Sequence, residues 1–458
     1  MSALNIMTVK PEQAVYTLVV GLGKTGLSVV RYLRALGEAI IVVDSRDIPP
    51  GLAVLKSEYS DVEYFTGKFD ESLFVNAHRI IVSPGVALNE PALLAAKNND
   101  IEIIGDIDLF SHEVAAPVVG VTGSNGKSTV TTLLALMAKQ AGKNVVASGN
   151  IGIPVLDSLA DEMDLYVLEL SSFQLESLQY LPMKAAVVLN VSADHLDRYE
   201  SIATYAISKQ YIYQNAEILI LNKDDVLANK VNVSSKKQIG FTLSEPRENE
   251  FGLHEEEGKP SSLFFGKQFL IAADQLGVKG VHNIQNALAA LALGYAVGLP
   301  MGSMLNTLKE FRGLPHRTQF VARLNGVDWI NDSKATNVGA TIAALTGLPG
   351  KHVLIAGGDA KGADFSELTD ILEQHCRAVV LMGKDAEKIA AVVPDGLPVE
   401  MVEDMQAAVL AAQKIALSGD DVLLAPACAS FDMFNDFEHR GDVFVAAVEN
   451  LQNKVSPS

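Results

Sequence analysis

The chain has 458 residues, of which 48% are hydrophobic and 20% charged, an ordinary composition for a globular protein of two to four domains. It carries 36 Lys and Arg against 55 Asp and Glu residues, a formal net charge of -19, which argues against a nucleic-acid backbone as the main partner. The two cysteines cannot form a disulfide framework, and no apolar run approaches the roughly 18 residues of a membrane-spanning helix. We therefore expect a cytoplasmic protein.

The first predicted unit is a strand, a glycine-rich turn and a helix. The apolar residues 16–20 precede Gly21-Leu22-Gly23-Lys24-Thr25-Gly26, and a second strand ends at Asp44. This G-x-G-x-x-G spacing, with an acid after the second strand, is typical of a dinucleotide site in which the acid binds a ribose. Taken alone, the pattern predicts a nicotinamide-dependent oxidoreductase.

The most informative motif is the stretch VTGSNGKST at residues 121–129, between a buried strand and a helix. Backbone N–H groups and the helix dipole attract anions at such a turn, and Lys127 adds a full positive charge. The hydroxyl groups of Ser128 and Thr129 suit a phosphate-bound Mg²⁺. The usual phosphate loop has glycine where this chain has Val121, so the loop is a variant. We expect it to hold a nucleoside triphosphate.

Strands and helices continue to alternate through residues 106–313, and polar residues follow several of the strands. Glu169 ends one strand, where an acid either holds Mg²⁺ or caps the next helix. The cluster Asp194-His195-Leu196-Asp197-Arg198 follows another strand and would serve as a metal ligand, a general base or a hydrogen-bonded turn. Asn283 and Asn286 share a helix face and would bind a base or phosphate, or cap the helix. The short β-like runs within residues 240–280 predict a small addition of antiparallel strands.

A third α/β unit is predicted from residue 314, with each strand ending in a polar or glycine-containing turn. Ligands of open α/β sheets bind at the carboxyl ends of the strands. Arg317 precedes the first strand at an interdomain hinge, where a guanidinium could reach phosphate. Two lysines and a serine on one edge would suit a dicarboxylate, with surface solvation as the alternative for each lysine. The polar residues of this edge are Asp332, Lys334, Lys361 and Ser430.

Eight segments, in order along all three predicted units, resemble the Mur ligase family. They are TGSNGKST (122–129), LELSSFQLE (168–176), LNVSADHLDRY (189–199), HNIQNALAAL (282–291), GLPHR (313–317), NDSKATN (331–337), GGDAKGADF (357–365) and APACASFDMFNDFEHRG (425–441). The GLGKTG opening and the last three segments are most similar to the members that add D-glutamate. The resemblance implies an α/β fold of three domains: a Rossmann-like UDP-substrate-binding domain (1–105), a central P-loop ATPase-like domain (106–313) and a Rossmann-like C-terminal domain that binds the amino acid (314–458).

The resemblance also implies a reaction. Such a ligase would use ATP and two Mg²⁺ ions to join D-glutamate to UDP-N-acetylmuramoyl-L-alanine through an acyl phosphate, in peptidoglycan precursor synthesis. It would be a monomer that neither binds nucleic acid nor inserts into membranes. The G-x-G-x-x-G loop would then hold a UDP diphosphate instead of a dinucleotide. The alternatives are a related ligase with another acceptor, such as a folylpolyglutamate-type enzyme, and a regulatory ATPase.

The family motifs assign a role to each matching residue, and Lys127, His195 and Lys209 would be catalytic. The ATP site would contain Gly123, Ser124, Asn125, Gly126, Lys127, Ser128, Thr129, Asn283, Asn286, Arg317 and Asp332. The metal ligands would be Ser128, Glu169, His195 and Lys209, with Lys209 carbamylated, a modification that turns a cation into an anionic ligand. The UDP substrate would contact Lys24, Thr25, Ser45, Arg46, Ser83, Asn150 and His195, although other members carry different residues at positions 24 and 45. D-glutamate would contact Lys334, Thr336, Lys361, Ser430, Phe431 and Phe437.

Overall fold

The computed structural model describes residues 15–194, 198–230, 236–256, 260–278 and 280–455. These residues form two compact units. The first contains residues 15–117 and 146–182, and the second contains residues 118–145 and the described residues from 183 onwards. Within the described residues, no helix is both long and apolar enough to span a lipid bilayer.

The first unit begins with alternating strands and helices, as the sequence predicts. They are β1 (Thr17–Val20), α1 (Lys24–Ala35), β2 (Ile40–Asp44), α2 (Leu52–Glu58), β3 (Glu63–Thr66), α3 (Glu71–Val75), β4 (Arg79–Val82), α4 (Pro91–Asn98), β5 (Glu102–Ile104) and α5 (Asp106–Glu113). The strands form a parallel sheet in the order β3-β2-β1-β4-β5. All residues of β1 are buried because this central strand is covered on both faces. The strand order reverses between β1 and β4, which is where doubly wound sheets bind ligands.

The middle of the chain contributes to both units. Its elements are β6 (Val118–Thr122), α6 (Lys127–Gln140), β7 (Val145–Gly149), β8 (Leu165–Glu169), α7 (Ser172–Ser177), β9 (Met183–Val188), α8 (Ile202–Gln210), β10 (Ala216–Asn222), α9 (Val226–Asn229), β11 (Lys237–Phe241), β12 (Glu250–His254), β13 (Ser262–Phe265), β14 (Gln268–Ala272), α10 (Val281–Ala296) and α11 (Met301–Glu310). In the first unit, β7 and β8 are neighbours. In the second unit the strand order is β14-β13-β12-β11-β10-β9-β6. The antiparallel β12, β13 and β14 confirm the predicted addition.

Helix α10 lies in the core of the second unit, and its sequence explains why. Its residues 286–294 are all buried, and an apolar surface on every side of a helix requires burial on every side. The helix packs against α6, the helix that follows the phosphate loop. This packing brings the N-terminal turn of α10 next to that loop.

The rest of the second unit is a third sheet with helices on both faces. Its elements are β15 (Gln319–Leu324), β16 (Val327–Asn331), α12 (Val338–Gly347), β17 (His352–Ala356), α13 (Leu368–His375), β18 (Cys376–Leu381), α14 (Ala386–Ala390), β19 (Val399–Met401), α15 (Met405–Ile415), β20 (Asp421–Leu424) and α16 (Phe437–Val455). The order is β15-β16-β20-β17-β18-β19, and only β15 pairs antiparallel among these strands. Val353 and Ile355 face one hydrophobic cluster and Leu354 faces the other, because alternate strand residues point to opposite faces.

Candidate active site

The phosphate loop connects β6 to α6 and adopts a conformation that only glycine readily accepts at residue 126. Gly126 has a φ of 82°, and a Cβ atom there would lie 2.3 Å from the Oδ1 atom of Asn286. Its Lys127 side chain folds back over the loop, where its Nζ atom donates hydrogen bonds to the carbonyl oxygens of Gly123 (2.7 Å) and Ser124 (2.9 Å). The ammonium group is therefore held against the anion-binding turn.

A cavity of about 1040 Å³ adjoins this loop within the second unit. Ligand sites typically occupy about 300–1,000 Å³, so this cavity is large enough for a nucleotide. Its wall combines the loop, the start of α10 and the turns on either side of β15 and β16. Several residues of the predicted ATP site line the cavity, and so does one residue predicted to bind the amino acid. They are Asn125, Gly126, Thr129, Asn283, Asn286, Arg317 and Asp332 for ATP, and Lys334 for the amino acid.

Arg317 reaches from the turn before β15 to the first turn of α6. Its Nη2 atom donates a hydrogen bond to the Oγ atom of Ser128 over 2.5 Å. The neighbouring Thr318 hydroxyl donates to the Asp332 carboxylate over 3.4 Å. Burial raises the pKa of Asp332 to about 6, although the positive charge of Arg317 opposes this shift. His316 and Thr318 have φ angles of 60° and 45°, a left-handed conformation that is strained for side chains of this kind.

Lys209 lies on α8 and is buried, with only 1% of its surface exposed. Its Nζ atom donates a hydrogen bond to the carbonyl oxygen of Gly123 over 3.0 Å and lies 4.3 Å from the centre of the Tyr205 ring. The local sequence shows no feature that distinguishes this lysine from a solvated one. The structure places it against the phosphate loop through its contact with Gly123.

The predicted metal ligands belong to both units: Glu169 to the first, and Ser128 and Lys209 to the second. In the first unit, Glu169 is 2% exposed and its Oε1 atom accepts a hydrogen bond from the Asn150 side chain over 2.7 Å. Its buried Oε2 atom has no hydrogen-bond partner among the described residues. A buried carboxylate oxygen that lacks a donor fits the ligand requirements of Mg²⁺. His195 lies outside the described residues, and within those residues no group of three or more His, Cys, Asp or Glu side chains is suited to a metal.

Five of the residues predicted for the UDP substrate lie at the carboxyl ends of β1, β2 and β4 in the first unit, whereas Asn150 follows β7 and His195 lies outside the described residues. Asp44 accepts hydrogen bonds from the Leu22 amide (2.7 Å) and from the backbone and guanidinium of Arg46. Burial opposes ionisation of Asp44, yet the Arg46 guanidinium and these amides lower the pKa of the carboxyl overall. The Ser83 hydroxyl donates to the Gly21 carbonyl over 3.2 Å. Lys24, Ser45 and Arg46 are exposed, whereas Thr25 is half-buried.

The residues predicted for D-glutamate lie on turns at the carboxyl ends of β16, β17 and β20, except Phe437, which begins α16. Mutual backbone hydrogen bonds of 3.0 and 2.9 Å between Asp359 and Ala429 hold two of these turns together. Each lysine lies near a phenylalanine ring: Lys334 is 3.8 Å from the ring centre of Phe437, and Lys361 is 5.9 Å from that of Phe431. Ser430 is buried, Phe431 is exposed, and the Thr336 amide donates to the Lys334 carbonyl over 2.7 Å.

Two polar residues of this region were not singled out from the sequence. The side-chain amide of Asn337 donates to the side chains of Asn125 (3.4 Å) and Asp194 (3.2 Å), and its Oδ1 atom caps α12 by accepting from the Ala340 amide. Arg440 is buried beneath the turns that carry Lys334 and Ser430. Asn337 is the N-cap of α12 and Arg440 lies in the first turn of α16, so the sequence around each is typical of an ordinary helix start.

Comparison with known proteins shows the family of the chain. Three protein-family descriptions match the chain in order: the MurD-like N-terminal domain of Mur ligases at residues 15–105, the Mur ligase middle domain at 121–294, and the Mur ligase glutamate ligase domain at 316–428. The chain belongs to the Mur ligase family.

Two solved structures share its fold over almost their whole length. They are a pseudomurein peptide ligase type C from Methanothermus fervidus (TM-score 0.60, 20% identity, 95% of this chain and 100% of that one) and UDP-N-acetylmuramate-alanine ligase MurC from Thermotoga maritima (TM-score 0.60, 19%, 96% and 99%).

Within this family, the chain is similar over nearly its full length to proteins named UDP-N-acetylmuramoylalanine--D-glutamate ligase. The protein of that name from Nitrosococcus oceani is 51% identical over 445 residues, which span 96% of this chain and 98% of that protein. The one from Pseudomonas aeruginosa is 49% identical over 440 residues, or 95% and 98%. The predicted three-domain α/β fold and the resemblance to Mur ligases are thereby confirmed.

Proposed function

We propose that this enzyme joins D-glutamate to UDP-N-acetylmuramoyl-L-alanine, with hydrolysis of ATP to ADP and phosphate, in the cytoplasmic synthesis of peptidoglycan precursors. Residues 1–105 would bind the UDP substrate, residues 106–313 ATP, and residues 314–458 the amino acid. The relatives that carry this activity in their name are about half identical to the chain and match it from one end to the other. That the enzyme acts as a monomer stays a prediction.

One observation supports the reaction most directly. A single cavity is lined both by the phosphate loop and by the turn that carries Asp332 and Lys334. A ligase needs the activating phosphate and the incoming amine to meet at one carbon atom, so their sites must adjoin. A nucleotide-binding regulator has no need of such a junction.

The chemistry explains why cationic groups surround the loop. A carboxylate does not react with an amine because it is anionic and its oxygen is a poor leaving group. Transfer of the γ-phosphoryl group of ATP to the L-alanyl carboxylate gives an acyl phosphate and ADP, and it requires two anions to approach each other. Lys127 and Arg317 would neutralise charge on the phosphates as this occurs.

In the second step the D-glutamate amine attacks the acyl carbon. The tetrahedral intermediate collapses by breaking the bond between carbon and the phosphate oxygen, phosphate departs with the electron pair, and the amine loses a proton to give the amide. Lys334 and Lys361 would pair with the two carboxylates of D-glutamate and leave its amine free to react. A closed site would protect the acyl phosphate from water.

We propose Ser128, Glu169, His195 and carbamylated Lys209 as ligands of two Mg²⁺ ions. Such ions, when bound, would screen the charges of ATP and of the attacking carboxylate. The buried Oε2 atom of Glu169 and the burial of Lys209 beside Gly123 support this assignment. A carbamate nitrogen keeps one N–H group, so the modified lysine could still donate to that carbonyl.

The decisive experiment measures phosphate release from ATP and Mg²⁺ in the presence of UDP-N-acetylmuramoyl-L-alanine and a panel of D- and L-amino acids. We expect release that requires both the nucleotide sugar and D-glutamate. A Lys127→Ala variant, folded as judged by circular dichroism, should lose this release because the loop loses its cation. Release that depends on another amino acid would assign a different acceptor, and release without any acceptor would favour a regulatory ATPase.

A further inference from the structure

Arg440 is one of the largest fully buried side chains of the described residues, with 1% of its surface exposed. It lies in the first turn of α16, directly beneath the carboxyl ends of β16 and β20. Its guanidinium donates three hydrogen bonds: from Nε to the Ser333 hydroxyl (3.0 Å), from Nη2 to the Ser333 carbonyl (2.7 Å) and from Nη1 to the Cys428 carbonyl (3.1 Å). One side chain therefore connects two turns that are distant in sequence.

These two turns carry the residues that we assign to the amino acid. Ser333 lies between Asp332 and Lys334, and Cys428 lies two residues before Ser430. The Ser333 hydroxyl in turn donates to the Phe437 carbonyl over 2.8 Å, which connects the start of α16 to the same hydrogen-bond network. The spacing of Lys334, Ser430 and Phe437 thus depends on a network centred on Arg440.

The charge of Arg440 is as notable as its geometry. All three of its hydrogen-bond acceptors are neutral, and among the described residues no carboxylate forms an ion pair with it. Burial lowers the pKa of this guanidinium to about 10, so it remains charged at neutral pH. The exposed carboxylate of Asp432 acts on this guanidinium without a direct ion pair and opposes the effect of burial. Buried charges are costly unless they are paired, and a buried cation with no direct ion pair leaves a positive potential in its surroundings. The turns that Arg440 contacts form the strand-end edge.

We propose that Arg440 is a positioning residue of the amino-acid site, which holds the Lys334 and Ser430 turns in register and supplies a buried positive charge for a dicarboxylate ligand. The inference rests on the function proposed above and adds to it a residue that does not touch the substrate. Lys334 and Lys361 are accessible to water, so their charges are screened. The charge of the buried Arg440 is not screened by water, and it would act on both carboxylates of D-glutamate through the turns that Arg440 contacts.

The test compares Arg440→Gln, which removes the charge, with Arg440→Lys, which keeps it. A matched control is Arg377→Gln, because Arg377 is paired with Asp420 on the same sheet, away from this edge. Each variant is assayed for phosphate release with D-glutamate or ATP varied, and for inhibition by glutarate, a dicarboxylate that has no amine. Glutarate reports on binding without chemistry. Thermal unfolding midpoints show which variants fold.

We expect Arg440→Gln to raise the KM for D-glutamate and the inhibition constant of glutarate about tenfold, the order of magnitude for loss of one nearby buried charge, with little change in the KM for ATP. Arg440→Lys should recover most of this loss and Arg377→Gln should show none. A folded Arg440→Gln protein with unchanged constants for both dicarboxylates overturns the role of Arg440. So does a folded Arg440→Lys protein that has lost dicarboxylate binding, a test that holds even where the glutamine variant fails to fold. If phosphate release by the wild-type enzyme does not depend on D-glutamate, the proposed function itself is overturned.

Discussion

Arg317 donates a hydrogen bond to the hydroxyl of Ser128 over 2.5 Å, which connects the turn before β15 with the first turn of α6. The two residues are 189 positions apart in the chain. A guanidinium can hold this hydroxyl with one nitrogen and still present other N–H groups to a phosphate. Arg317 is therefore suited to contact a bound nucleotide and to hold the third sheet next to the phosphate loop.

Replacement of Arg317 by lysine should impair ATP use although the charge is kept. An ammonium group cannot satisfy Ser128 and a phosphate with the same fixed geometry, so we expect kcat/KM for ATP to fall about tenfold or more, the usual cost of one charge-assisted hydrogen bond. Initial rates at varied ATP measure the effect. Arg79→Lys, at an ion pair with Glu38 in the first unit, is the matched control. Equal rates for wild type and Arg317→Lys would contradict a role in phosphate binding.

A second prediction concerns the modification of Lys209. If the buried amine is carbamylated, Lys209→Ala should remove most activity, because an anionic metal ligand is lost. Added formate or acetate should restore part of it by placing a carboxylate in the space left behind. Lys184→Ala, which removes an exposed lysine paired with Glu217, should change neither activity nor the response to formate. Full activity of Lys209→Ala without any added acid would rule the carbamate out.

The order of strands and helices was largely predictable because each buried strand is a continuous apolar run followed by a polar turn. Strands β15 and β19, which the sequence pattern does not mark, lie at the two edges of the third sheet. Val399, Glu400 and Met401 of β19 are all exposed, so no pattern marks them as a strand. The alternation in β15 is likewise broken by Phe320, which is exposed. Edge strands bury too little side-chain surface to leave a sequence signal.

The candidate site was predictable only where a local motif carries the chemistry. The phosphate loop is such a motif, since its glycines and Lys127 act within nine residues of each other. Lys209 is different, because its environment is made by Gly123, 86 positions earlier. Asn337 and Arg440 act through contacts of the same long-range kind. No periodicity in a single sequence encodes such contacts.

A third prediction separates two roles of Asn337. Its Oδ1 atom caps α12, whereas its amide donates to Asn125 of the phosphate loop and to Asp194. Serine is also a good cap but has no amide, so Asn337→Ser should keep the unfolding midpoint while kcat/KM for D-glutamate falls about tenfold, as expected for the loss of one or two net hydrogen bonds.

The alanine variant provides the comparison. Asn337→Ala removes the cap as well and should lower stability by about 1 kcal/mol in addition to the kinetic defect. Urea unfolding and steady-state kinetics on the two variants measure these effects separately. If Asn337→Ser is as active as wild type, the contact between α12 and the phosphate loop has no part in the reaction.

The last prediction uses a buried acid in the first unit. Asp106 is 3% exposed in the first turn of α5, and burial raises the pKa of its carboxyl to about 7, helped by the neighbouring charge of Asp108. A folded-state pKa above the unfolded value means that the folded protein binds the proton more tightly. Stability from this group is therefore greatest at low pH and declines as the pH rises from about 4 to about 7, by roughly 1.4 kcal/mol for each unit of the shift.

Asp106→Asn keeps the shape of the protonated acid and cannot ionise. We expect the variant to be more stable than wild type at pH 8, because it carries no buried charge, and the difference should shrink as the pH falls to 5. Urea unfolding at pH 5, 6, 7 and 8 measures this convergence. Asp70→Asn is the control, because hydrogen bonds from Ser72 lower the pKa of that exposed acid and it stays ionised throughout this range. The effect of Asp70→Asn on the free energy of unfolding should be the same at every pH. A pH-independent effect of Asp106→Asn would show that Asp106 does not titrate near neutrality.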